Sequence, residues 1–169
     1  MKIAIISDIH ENYHNLTLFF TDIEGKNIEQ IICLWDLIGI WISKLLAFNW
    51  IPVFMVWWNN DWSKVQITKI SFQEWSKLKV SDEIFDFLEF EDKKFFLTHY
   101  PKLAVSMAKS WDFDAVFYWH NHEQNIEKIW NCLIINPWEI SAFKTWKATY
   151  AIYDTENNIA EIIDRKNVV

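Results

Sequence analysis

Lys2-Ile3-Ala4-Ile5-Ile6-Ser7-Asp8-Ile9-His10, near the start of the chain, decides how the rest is read. Its apolar residues run without alternation, as in a strand buried on both faces. The run stops at Ser7 and Asp8, too early for the apolar core of a signal peptide. A carboxylate and an imidazole therefore stand just past a strand end. The arrangement recurs: Asp36 follows Ile31-Ile32-Cys33-Leu34, Asn59 follows Val53-Phe54-Met55-Val56, His99 follows Phe95-Phe96-Leu97, and His120 with His122 follows Ala115-Val116-Phe117-Tyr118. Ligands of α/β sheets collect outside the carboxyl ends of strands, so these ends predict that Asp8, His10, Asp36, Asn59, His99, His120 and His122 meet in one place.

Carboxylate, amide and imidazole together suit hard-to-borderline divalent ions, and the lack of thiolate argues against a structural zinc cage. The set is too large for one ion with an open position. If one carboxylate bridges, it serves two ions, the arrangement that clamps both oxygens of an in-line phosphoryl displacement. Singly, each member has an ordinary explanation: a loop histidine, an Asp36 that caps a helix, a turn at Asn59-Asn60-Asp61. The ordered set carries the reading.

Strand-length runs alternate with helical spacing at about residues 15–24, 41–48 and 102–110, the pattern of an α/β layered domain. Hairpins are expected at 126–135 and 149–163. Residues 61–82 read as a loop with a short helix around 72–78. Asp82, Glu83, Asp86, Glu89, Glu91 and Asp92 read as a solvated face and hairpin tip. A length of 169 residues with 51% hydrophobic content predicts one domain over 1–169. The net charge of −7 argues against a nucleic-acid or anionic-membrane surface. Residues 37–58 contain Lys44, Asn49 and Pro52 and do not read as a membrane span. Cys33 and Cys132 sit in apolar runs and read as buried free thiols, which suits a cytoplasmic location.

The blocks Ser7-Asp8-Ile9-His10, Trp35-Asp36, Trp58-Asn59-Asn60-Asp61, Thr98-His99, Trp119-His120-Asn121-His122 and Asn136-Pro137-Trp138-Glu139 resemble those of the calcineurin-like metallophosphoesterases. The small single-domain phosphodiesterases of bacteria and archaea are the most similar type, and the likeness extends from Met1 to about Asp164. It implies a four-layer α-β-β-α sandwich of two mixed sheets. It implies two divalent ions, manganese first, with nickel, iron, zinc or magnesium as alternatives. Asp8, His10, Asp36 and His122 would hold one ion, and Asp36, Asn59, His99 and His120 the other, with Asp36 bridging. A hydroxide between the ions would attack a small phosphodiester substrate. Many relatives carry histidine where this chain has Asn60, so diesters with good leaving groups are expected over alkyl monoesters. Asp61 is expected to orient the neighbouring asparagine or an imidazole, or else to serve as a turn residue. A homodimer is expected by analogy.

The departure from the family lies in Trp35, Trp58, Trp119 and Trp138, which stand where the family has glycine. Composition agrees: the chain has 2 glycines beside 12 tryptophans, where about 12 glycines are usual for this length. Many of these tryptophans are therefore read as glycines of the natural protein, from UGA codons that the host decodes as glycine. Two other classes remain open. One is a non-catalytic scaffold like the small subunit of the retromer coat, which shares the fold and is favoured if the tryptophans are real. The other is an aromatic-surface binder of carbohydrate or single-stranded nucleic acid, disfavoured by the scatter of the tryptophans among turn positions.

Overall fold

The computed structural model describes residues 1–34, 36–57, 61, 63–121 and 123–165. Among them the elements are β1 (Lys2–Ser7), α1 (Tyr13–Ile23), β2 (Ile28–Leu34), α2 (Ile40–Ala47), β3 (Val53–Val56), α3 (Lys64–Ser71), β4 (Leu78–Val80), β5 (Phe85–Phe90), β6 (Lys93–Thr98), α4 (Pro101–Ala108), β7 (Ala115–Tyr118), β8 (Asn125–Ile129), β9 (Cys132–Asn136), β10 (Ala148–Asp154) and β11 (Ile159–Arg165).

They form a six-stranded sheet, β11-β10-β1-β2-β3-β4, and a five-stranded sheet, β5-β6-β7-β9-β8. In the first, β1 to β4 run parallel while β10 pairs antiparallel with β1. In the second, β6, β7 and β9 run parallel between two antiparallel edges. Both sheets are mixed, as the family resemblance implies. The unalternated strands follow from burial on both faces. Ile3, Ile5, Ile32, Leu34, Phe54 and Val56 meet Phe95, Leu97, Phe117 and Ile135 between the sheets. Ala4, Ile6, Ile31 and Met55 point the other way, against Leu16, Phe19, Leu46 and Ile67 of α1, α2 and α3. On the outer face of the second sheet, Phe96, Val116 and Ile134 pack on Ala104 and Ala108 of α4. The result is the layer order helix, sheet, sheet, helix.

Residues 61–82 depart from expectation. The helix there is α3, earlier than the stretch around 72–78, and β4 follows it. Ile67 and Ile70 are the residues α3 buries, three apart on one face. The chain then turns through Trp75 at φ 68°, which a continuing helix does not allow. Gly25 occupies a position that needs glycine, with φ 76°, while the Glu11 carboxylate packs directly over Gly39. Cys33 and Cys132 are free and buried, and burial pushes the Cys33 thiol well up.

Candidate active site

The first site residues are placed by the way β1 ends. Asp8, His10 and Glu11 all take positive φ (49°, 45° and 59°), so the chain leaves the strand in a left-handed turn. Asn12 then caps α1, its side chain accepting from the Asn15 amide at 3.0 Å. The β2 end is tied to this turn, because the His10 amide donates to the Asp36 carbonyl at 3.0 Å. Asp36 is itself at φ 55° and Ile38 at φ 72°. Asp61 steadies that second turn: its Oδ1 accepts from the amides of Leu37 at 2.9 Å and Ile38 at 3.4 Å.

Asp8, His10 and Asp36 thus converge, with ligand atoms all within 4.8 Å of one another. His10 Nε2 lies 3.1 Å from Asp8 Oδ1 and 3.7 Å from Asp36 Oδ2. Asp8 and Asp36 are 2% and 1% exposed, a burial that carboxylates tolerate only when paired or bound to a cation. Asp8 Oδ2 is buried and has no hydrogen-bond partner among the described residues. Burial pushes the Asp8 carboxyl up to about 7, opposed by the hydrogen bond with His10 and reinforced by neighbouring Asp36. The same hydrogen bond to Asp8 raises His10 above its usual value, against the lowering effect of burial. An orphaned carboxylate oxygen beside a second carboxylate and an imidazole is a donor set that fits a divalent cation.

The second sheet contributes its own pair. His99 follows β6 and His120 lies two residues past β7, with His120 Nδ1 at 2.7 Å from His99 Nε2. Between the two groups stand the indoles of Trp119 and Trp138, stacked at 6.3 Å and 8°. Both indoles line a cavity of about 260 Å³ together with Asp8, His10, Asp36, Glu139, Phe143 and Lys144. Trp119 also lies against the His99 ring at 5.1 Å. Asn59 and His122, together with Trp35, Trp58 and Asn60, lie outside the described residues.

Two residues of the site carry no role in the sequence reading. Asn136 ties the His120 loop to the β9 end: its Nδ2 donates to Asn121 Oδ1 at 2.8 Å, and its Oδ1 accepts from the Trp138 amide at 2.9 Å. Glu139, 2% exposed, organises the loop that follows. The signal for both was the conspicuously polar Asn136 and Glu139 in an otherwise apolar run.

The fold and this cluster define a metallophosphoesterase, and the chain belongs to the calcineurin-like phosphoesterase superfamily, whose domain profile it matches over residues 1–158. A phosphodiesterase of Methanocaldococcus jannaschii is 32% identical over 161 residues, covering 92% of this chain and 94% of that protein. The solved structure of a novel archaeal phosphodiesterase superimposes with a TM-score of 0.85 at 27% identity, covering 98% of this chain and 100% of that one. Vacuolar protein sorting 29 from Cryptosporidium parvum shares the fold at 12% identity, with a TM-score of 0.68 and coverage of 97% and 96%.

Proposed function

We propose that this chain is a dinuclear-metal phosphodiesterase for small phosphodiesters, in which Asp8, His10, Asp36 and His122 hold one ion and Asp36, Asn59, His99 and His120 the other. The observation that carries the reading is the cluster of buried Asp8 and Asp36 with half-buried His10, with its unpartnered Asp8 oxygen. The M. jannaschii relative, itself named a phosphodiesterase, supports the substrate class. Two divalent ions supply activation of a water nucleophile and neutralisation of charge on the phosphoryl oxygens. The chain's own part is to hold the ligands in register: Asp61 fixes the Asp36 turn, and the His10 amide links that turn to the Asp8 turn. Asn60 cannot protonate a leaving group at neutral pH, so diesters with good leaving groups are the substrates. Manganese is the metal of choice for this oxygen and nitrogen set, and the free thiols suit a cytoplasmic setting.

The natural protein, on this reading, has glycine at many of the tryptophan positions through UGA recoding. Trp75, Trp111, Trp130, Trp138 and Trp146 take positive φ, while none of the 13 phenylalanines or 5 tyrosines does. Bulk and aromaticity therefore do not explain those backbones, whereas glycine does. Mass spectrometry of the tryptic peptide from Ser110 to Lys128, made in the native host, tests this. Glycine masses at 111 and 119 support it, and metal-loaded protein should then cleave bis(p-nitrophenyl) phosphate faster than p-nitrophenyl phosphate. Tryptophan masses would leave the Trp119 indole in the cavity and favour a scaffold. Faster cleavage of the monoester would sink the diester assignment.

A further inference from the structure

We infer that Phe143 and Lys144 form the substrate-binding wall of this site and that Lys144 binds the anionic oxygen of the phosphodiester, positioned by Glu139; the inference rests on the phosphodiesterase reading above. Glu139 lines the metal cavity, yet its carboxylate is engaged elsewhere. Oε1 accepts from the Lys144 amide at 2.9 Å, the Thr145 amide at 2.8 Å and Thr145 Oγ1 at 2.9 Å. Oε2 accepts from Ser141 Oγ at 2.9 Å and the Phe143 amide at 3.1 Å. Charge-assisted bonds of this kind are the stronger ones. Three consecutive amides, those of Phe143, Lys144 and Thr145, therefore curl around the buried Glu139 carboxylate, and the Thr145 hydroxyl joins them.

The curl is indexed to the ligand turn. The amides of Ile140 and Ser141 donate to the carbonyls of Ser7 and Asp8 at 3.0 and 2.9 Å. Asn12 Nδ2 donates to the Ser141 carbonyl at 2.9 Å. Phe143 consequently lies 6.1 Å from the His10 ring. Lys144 lines the cavity shared with Asp8, His10 and Asp36, and it is the lysine among the described residues lining it. A phosphodiester anion meets a rim of carboxylates there, and an ammonium beside them, on a residue whose backbone Glu139 holds in place, is the complementary group.

The test uses glycine-coded protein loaded with Mn²⁺, with Lys144→Gln, Lys144→Arg and Glu139→Gln. Lys144→Gln should raise the KM for bis(p-nitrophenyl) phosphate about 10- to 100-fold with kcat little changed, the loss of one charged hydrogen bond to a ground-state anion. Calorimetric affinity for inorganic phosphate should fall in parallel, and Lys144→Arg should restore most of both. Glu139→Gln should reproduce the KM effect with bound metal retained. Phosphate affinity of Lys144→Gln within about twofold of the parent overturns the inference, as does a loss in kcat alone. A parent that binds phosphate through Lys144 but does not cleave diesters upholds the inference and refutes the activity.

Discussion

Asp8 is where burial and chemistry pull hardest against each other. Its carboxyl is pushed from 3.8 up to about 7 chiefly by burial, so the folded chain holds this proton more tightly than the unfolded chain. Its contribution to stability is fully present below about pH 4 and is lost as pH rises through about 7. In chelator-treated protein, Asp8→Asn should therefore melt progressively higher than the parent between about pH 4 and pH 8. A difference that does not vary with pH would mean that burial is not what Asp8 opposes. Asp61 makes the complementary case, because it stabilises by accepting from the buried Leu37 amide and the part-buried Ile38 amide. Asp61→Ala should cost about 1–3 kcal/mol in a denaturant titration and weaken metal binding through the Asp36 turn, whereas an effect on metal alone would show that the turn does not depend on it. The convergence of Asp8, His10 and Asp36, and the approach of His99 to His120, were legible in the sequence because each of these residues follows a strand. The hub role of Glu139 was not, because five donors from residues 141 to 145 become visible only once the loop has closed.

Among the elements, the five unalternated runs were legible because burial on both faces leaves an unbroken apolar signature, and β3 and β7 match their runs end to end. α3 was not, since Lys64, Gln66, Thr68 and Lys69 dilute its short apolar stripe. β4 has only three residues, too few for periodicity to register. The β8–β9 hairpin turns at a bulky residue in left-handed backbone, where glycine is the usual choice. Its turn residue Trp130 has φ 53° and stacks on Trp111 at 4.3 Å. Left-handed backbone costs a non-glycine residue about 1–2 kcal/mol, partly offset here by the ring contact. In the tryptophan-coded chain, Trp130→Gly should raise the melting temperature by a few degrees, and a fall would show that the stack outweighs the strain.

At the scale of the whole molecule, Asp8, His10 and Asp36 come from the six-stranded sheet and His99 and His120 from the five-stranded one. Metal shared between these groups, as proposed, would link two layers otherwise joined through their apolar seam. Mn²⁺ should accordingly raise the melting temperature of glycine-coded protein, and chelation should reverse it. Protein whose melting is indifferent to metal would not contain a centre joining both sheets. The left-handed tryptophans have a different kind of consequence. A side chain changes wholesale when one codon is reassigned, but the path of the main chain is set by hundreds of neighbouring atoms and moves little. If these positions are glycine in the natural protein, torsion angles preserve a trace of the genetic code in force when the fold arose, and a dihedral survey of a translated genome would serve to decipher its stop codons.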